Sequence, residues 1–331
     1  MLTNIVWFLA GLSALIIGAE VMVRGGAEAA VRLGISPIVI GLTVVSIGTS
    51  MPELAVGVVA AGEGSGALAV GNIVGTNVVN VLLILGLSAA LVPLTLQSRT
   101  IRFELLIMAV AALLLLALAA DGVLTRLDGA ILVVCAVVYT AAVIWSARRE
   151  SHAVAVEFAA ELVAEYATEE VGSVTTKRRW TSTSVAMTLG GIAVVVLGAD
   201  WLVDGAVGMA RQFGVSDALI GLTVVAIGTS APELVTTMIS TLRGDRDIAI
   251  GNLIGSSIYN ILLILGVTCL VPAQGLNLPS SLVTIDLPIM VIVALACIPI
   301  FITGRRVSRA EGVAMVTAYV GYLCFLLTTQ T

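Results

Sequence analysis

The chain has 331 residues, of which 59% are apolar and 11% charged, with a net charge of -5 and a mean hydropathy of +1.12. Soluble domains run at roughly 45–50% apolar and about 25% charged. This composition excludes a soluble enzyme, a nucleic-acid binder and a disordered chain, and points to a polytopic membrane protein. The four cysteines, Cys135, Cys269, Cys297 and Cys324, lie far apart in apolar runs, and the one histidine, His152, lies in a polar stretch. Neither a disulfide framework nor a zinc site is expected from that pattern. The first apolar run is long and lacks a basic start, so no cleavable signal is expected either.

A membrane-spanning helix needs about 20 mostly apolar residues. In chain order such runs fall at 2–23, 35–61, 67–93, 102–120, 127–147, 182–203, 215–241, 248–272, 282–302 and 309–328. Backbone polar groups in lipid must be satisfied within the segment, so these ten runs are expected as helices and the fold class is all-α. Of the 16 Lys and Arg residues, 14 fall in the odd-numbered connections; only Arg126 and Arg211 lie on the other face. The positive-inside rule then places both termini outside and the 148–181 loop in the cytoplasm; a plasma (inner) membrane is the expected location.

Residues 33–88 align with 213–268 at a constant offset of 180 without a gap, with 26 identities in 56 positions. GLTVVSIGTSMPEL (41–54) matches GLTVVAIGTSAPEL (221–234), and GNIVGTNVVNVLLILG (71–86) matches GNLIGSSIYNILLILG (251–266). Each half holds five expected spans, an odd number, so the second half enters the membrane upside down relative to the first. Inverted five-helix repeats are a secondary-transporter architecture, with the substrate site at the midplane. The expected organisation is a first repeat at 1–147, a cytoplasmic linker at 148–181 and a second repeat at 182–331, joined in one membrane domain.

The repeated motifs carry costly groups. A charge at the centre of a lone helix costs at least about 2.5–3.5 kcal/mol on the insertion scale, so Glu53 and Glu233 are functional candidates. Pro52 and Pro232 precede them; each lacks an N–H and pushes aside the carbonyl four residues back, at Gly48 and Gly228. Such a break exposes backbone oxygens, tolerable at membrane depth only against protein or a cavity. Ser46, Thr49 and Glu53 share a face; Thr229 and Glu233 repeat it, with Ala226 in place of Ser46. In the following span Asn72, Thr76 and Asn80 are spaced by four, matched by Asn252, Ser256 and Asn260. For Asn72 and Asn252, helix packing and site support are equally good readings; Asn80 and Asn260 repeat in phase with the glutamates and read as site residues. Every repeated donor is a hard oxygen or amide, which suits Ca2+, Na+, Mg2+ or Mn2+ rather than copper or zinc. Two carboxylates match one divalent cation. A dry site of this kind favours Ca2+ over Mg2+, which dehydrates reluctantly; Mn2+ stays open.

With GTSMPE and GTSAPE at constant spacing from GNIVGTNVVN and GNLIGSSIYN, the chain resembles the sodium/calcium exchangers of the cation/calcium antiporter superfamily, in their compact prokaryotic form. That resemblance implies exchange of Ca2+ for Na+ by alternating access, with the first spans of each half moving past a rigid bundle. It implies a calcium site of Glu53, Glu233 and backbone oxygens at Thr49 and Thr229. It implies sodium sites that add Ser46, Ser50, Thr76, Ala226, Ser230 and Ser256, with Asn80 and Asn260 in the middle. Some sodium-coupled relatives carry Asp where this chain has Asn260, which leaves stoichiometry and any potassium requirement open. Ca2+ and Na+ are then transported partners, the bilayer is the solvent, and no permanently bound cofactor, nucleic acid or obligatory protein partner is expected.

Proton-coupled calcium antiport is the nearest alternative, because buried glutamates also carry protons. A channel would use acidic groups too. An intramembrane enzyme at Ser50 or Ser230 lacks a neighbouring base and a GxSxG elbow. In the 148–181 loop, Glu157, Glu161, Glu165 and Glu169 recur every four residues beside Phe158, Leu162 and Tyr166, which predicts an amphipathic surface helix.

Overall fold

The structure, a computed structural model, describes residues 2–33, 39, 41–62, 64–95, 100–149, 179–212, 226–244, 246–304 and 306–329. Its helices are α1 (Leu2–Leu33), α2 (Gly41–Thr49), α3 (Met51–Gly62), α4 (Gly66–Leu91), α5 (Thr100–Leu118) and α6 (Arg126–Arg149). After the middle segment come α7 (Arg179–Gln212), α8 (Ala226–Thr229), α9 (Ala231–Arg243), α10 (246–270), α11 (282–304) and α12 (Arg309–Thr329). The expected amphipathic helix at 155–170 lies outside the described residues, as does part of the 215–241 run.

The chain is mostly helical, as its apolar runs require in lipid. Small departures are two antiparallel ladders of two residues each. β1 (Leu94–Thr95) pairs with β4 (Arg306–Val307), and β2 (Val123–Leu124) with β3 (Leu276–Asn277). Each ladder ties a connection of the first half to one of the second. By length and apolar composition, six of the described helices are able to cross a membrane, or seven if the bent pair Gly41–Thr49 and Met51–Gly62 is one span.

Two helices outrun their expected ends. The 2–23 run becomes a 32-residue helix and the 182–203 run a 34-residue one. At 1.5 Å per residue these reach about 48–51 Å, well past a hydrocarbon core of about 30 Å. The added turns contain Arg24, Glu28, Asp204 and Arg211, where hydropathy stops but helical hydrogen bonding does not. Ser184 Oγ donating to Glu28 Oε2 at 2.8 Å fastens the two long helices near one end.

α1 and α7 pack antiparallel along glycines repeated every seven residues. A methyl group on Gly18 would lie 2.8 Å from the Val195 nitrogen, and one on Gly198 2.8 Å from the Leu15 nitrogen. Gly25 and Gly191 meet the Thr188 and Met22 nitrogens as closely, at 2.7 and 2.6 Å. Lipid gives no hydrophobic drive between helices, so close backbone approach through small residues is what joins such a pair.

Behind this pair, α4 and α10 form the interior, ringed by α5, α6, α11 and α12. Both interior helices contain π-helical turns, at Val79–Leu85 and Asn260–Leu265, whose asparagines Asn80 and Asn260 stand one repeat offset apart. Further π turns occupy Gly41–Val45 and Leu282–Asp286. Hydrophobic periodicity predicted plain α-helix at all four. A π turn bonds each N–H five residues back, a change of register that an apolar sequence does not announce.

Candidate cation site

The site is built from two helix breaks and the two interior helices. Ser50 (φ -84°, ψ 9°) ends α2, and α3 restarts at Met51 with an axis bent by 48°. Ser230 (φ -81°, ψ 0°) does the same between α8 and α9. The prolines expected to break these spans stand two residues after each break, in the first turn of the new helix, where a missing N–H costs no intrahelical bond. Glu53 and Glu233 therefore also fall in a first helical turn, where the exposed N–H groups and the helix dipole favour negative charge.

Both glutamates are fully buried, at 0% exposure. Ser50 Oγ, one turn from Glu53, donates to Glu233 Oε1 at 3.3 Å, so the first-half break reaches the second-half carboxylate. Among the described residues no hydrogen-bond partner meets Glu53 Oε1, Glu53 Oε2 or Glu233 Oε2. Charged oxygens this deep are costly without a cation or proton to satisfy them.

The halves interlock crosswise. Thr49 Oγ1 lies 3.4 Å from Asn252 Oδ1 on α10, and Thr229 Oγ1 lies 3.4 Å from Asn72 Oδ1 on α4. These are one contact made twice, each threonine bonding into the other repeat. Thr49 Oγ1 also lies 3.3 Å from Ser256 Oγ. Ser46 Oγ donates to the Gly41 carbonyl at 2.6 Å, with the Asn252 carbonyl a second acceptor at 3.0 Å. The π turn is what brings that Gly41 oxygen, five residues back, within reach. Asn252 Nδ2 donates to Thr237 Oγ1 at 3.3 Å. Asn72 and Asn252, for which packing and site support were equally good readings, thus hold the threonines of the breaks in place.

Asn80 and Asn260 are completely buried at the start of the π turns, and among the described residues neither amide has a hydrogen-bond partner. The Thr76 hydroxyl is likewise buried without one, while Ser256 Oγ lies 3.4 Å from the Ser46 carbonyl. Ser230 is buried at the second break. The side chain of Ala226 lies outside the described residues. No group of three or more His, Cys, Asp or Glu side chains placed to hold a metal ion occurs among the described residues. The donor set is a pair of carboxylates amid amides, hydroxyls and carbonyls, hard neutral oxygens of the kind that suit Na+ and Ca2+.

Three polar features escaped the sequence reading. Glu20 of α1 forms an ion pair with Arg24 at 2.6 Å and a second with Arg243 at the end of α9. Glu104 Oε2 accepts from Tyr139 Oη at 2.6 Å, and Tyr259, the residue before Asn260, shares a 2.8 Å hydrogen bond with Thr140. Finally, α9 carries buried hydroxyls at Thr236, Thr237, Ser240 and Thr241. Only the last left a signal in the sequence that was passed over, polar residues spaced by three and four beyond Glu233.

Comparison with known proteins gives a uniform result. The family model described as sodium/calcium exchanger protein matches residues 3–145 and 183–328. The chain is 37% identical to CaxA of Alkalimonas amylolytica over 99% of this chain and 100% of that one. It is 32% identical to the sodium/calcium exchanger MaX1 of Methanosarcina acetivorans, covering 98% of each. Among solved structures it is similar to the sodium-calcium exchanger NCX_Mj in crystals soaked with Na+ and Sr2+, with a TM-score of 0.81, 25% identity, and coverage of 100% of this chain and 99% of that one.

Proposed function

The chain belongs to the sodium/calcium exchanger protein family, a family of membrane antiporters and not of enzymes, and from that premise we propose that it exchanges Ca2+ for Na+ by alternating access at a central two-glutamate site. The observation that carries the reading is the crosswise interlock of the two repeats around two fully buried carboxylates with unpartnered oxygens. Ca2+ would bind between Glu53 and Glu233 with backbone oxygens of Thr49 and Thr229. Na+ would use the same carboxylates with Ser46, Ser50, Thr76, Ser230, Ser256 and the backbone at Ala226, and Asn80 and Asn260 would line the middle.

Ten spans in two inverted five-helix repeats, at 1–147 and 182–331 with a cytoplasmic linker between, suit this mechanism. The offset of 180, the antiparallel glycine contact of α1 with α7 and the paired breaks support that topology. The 14-to-2 split of Lys and Arg supports termini outside and a cytoplasmic linker. The mechanism is competitive. An empty site holds two like charges in a dry interior, a state costly to carry through the closed conformation, so the empty carrier cycles slowly and exchange is obligatory. Two Na+ neutralise the pair; a third makes turnover electrogenic.

The test is calcium uptake into proteoliposomes of the purified protein at clamped voltage, comparing an outward sodium gradient at fixed pH with an outward proton gradient. Uptake that follows sodium is expected. Uptake that follows protons alone would keep the site and move the chain to proton-coupled antiport.

A further inference from the structure

The two halves share their site motifs but not what lies beyond them. After Glu53, the next two turns of α3 place Val56, Gly57, Ala60 and Ala61 on the same face. At the aligned positions after Glu233, α9 places Thr236, Thr237, Ser240 and Thr241. Spacings of three, four, seven and eight put all four on the glutamate's side of the helix. Ser240 stands two turns from Glu233 and within about 20° of it around the axis.

These hydroxyls are deeply buried, with exposures of 0% for Thr236, Thr237 and Ser240 and 2% for Thr241. Thr237 is held by Asn252, but among the described residues the hydroxyls of Thr236, Ser240 and Thr241 have no hydrogen-bond partner. Buried hydroxyls are normally satisfied, often by the carbonyl one turn back. Three unsatisfied in one row, on a helix whose repeat counterpart is apolar, are not explained by packing. At the far end of the row stands Arg243, paired with Glu20 of α1. The equivalent lock cannot form at the other end of the pseudo-symmetric pair, because the positions aligned with Glu20 and Arg243 are Asp200 and Glu63, both acidic.

We infer that the buried hydroxyl row of α9 is a cation path between Glu233 and the arginine-rich face, closed at its mouth by the Glu20–Arg243 ion pair. Hydroxyl oxygens are neutral hard donors that replace water around Na+ or Ca2+ one step at a time without holding the ion tightly. A guanidinium at the mouth repels cations while it is there, and pairing with Glu20 holds it there. Since Glu20 belongs to the long helix pair and Arg243 to the site helix, movement of α1 past α9 is the event that opens the path. The inference rests on the proposed antiport, and its test separates the two.

The test is the labelling rate of Ser240→Cys by a membrane-impermeant methanethiosulfonate in purified full-length protein, with the labelling of the native cysteines in the parent chain subtracted. Arg243→Gln should raise that rate about fivefold, the scale of a lost, partly exposed ion pair. Glu20→Gln should do the same from the other partner. Equal rates in all three backgrounds overturn the gate. Independently, the Thr236→Val, Ser240→Ala, Thr241→Val triple variant should lower the exchange rate about tenfold while equilibrium 45Ca2+ binding stays within about twofold. An unchanged exchange rate overturns the path. Loss of calcium binding in that variant makes the row part of the site and overturns a separate path as well. Failure of Glu53→Gln to reduce calcium binding would instead strike the two-glutamate reading and leave the labelling comparison standing.

Discussion

The long outer helices and the interior helices solve opposite problems with similar apolar content. Only 24% of the apolar stretch of α1, and 24% of that of α7, is buried within the protein, against 72% for α4 and 83% for α10. The outer pair touches mainly itself, through glycines that let backbone slide close to backbone. The interior pair is locked by side chains, by π turns and by hydrogen bonds that cross between repeats. A carrier needs both: a site held to fractions of an ångström, and a neighbouring element whose attachment is weak enough to change. Few buried contacts mark the part of a fold that moves at low cost, and in the proposed exchange that part is α1 with α7.

The largest effects should come from damage to the interior. Glu53→Gln or Glu233→Gln should abolish exchange, by at least about 100-fold, and remove equilibrium calcium binding while the protein still folds, because a neutral amide is easier to bury than a charge. Uptake and calorimetry on the same preparations check this. A folded variant with normal flux would sink the site assignment.

Damage to the outer pair should look different. Gly18→Val forces a branched side chain against the Val195 backbone. It should cost about 1–3 kcal/mol of stability, typical of overpacking, and slow exchange about tenfold with calcium binding retained. Binding lost together with rate would mean that α1 is part of the site and not a separate moving element.

Asn260→Asp alters the interior by charge alone. It adds a third carboxyl to a layer that holds two, so the inhibition of calcium binding by sodium should become steeper and its midpoint shift about threefold or more. An unchanged sodium curve would place Asn260 outside the ion layer. Smallest of all, deleting 155–170 should change exchange by less than about twofold, since a solvated acidic face is the usual role of such a charge run; uptake assays on the deleted chain read this directly.

The site motifs were legible because each is a chemical anomaly in apolar sequence. Glu53 and Glu233 are charges where charges are costly, Pro52 and Pro232 mark breaks that the structure places at Ser50 and Ser230, and the offset of 180 doubles each signal. What stayed hidden was relational. No periodicity shows that Thr49 bonds Asn252 and not its own repeat's Asn72, since that depends on how the halves interlock. The Glu20–Arg243 pair joins residues 223 positions apart. The lengths of α1 and α7 were underestimated because hydropathy ends where charged residues begin, and the helices do not. The glycines at 11, 18, 25 and 191, 198, 205 were present in the sequence at the same offset, but their spacing gains meaning only once α1 and α7 are seen to pack antiparallel.

Exchange at a shared site is tested by a calcium-binding titration of the purified protein at increasing sodium, by 45Ca2+ equilibrium dialysis. Sodium should raise the apparent Kd for calcium without lowering the number of sites, and Glu233→Gln should remove the binding altogether. Calcium binding that ignores sodium would mean that the two ions do not share the buried glutamates, and would contradict exchange at a common site.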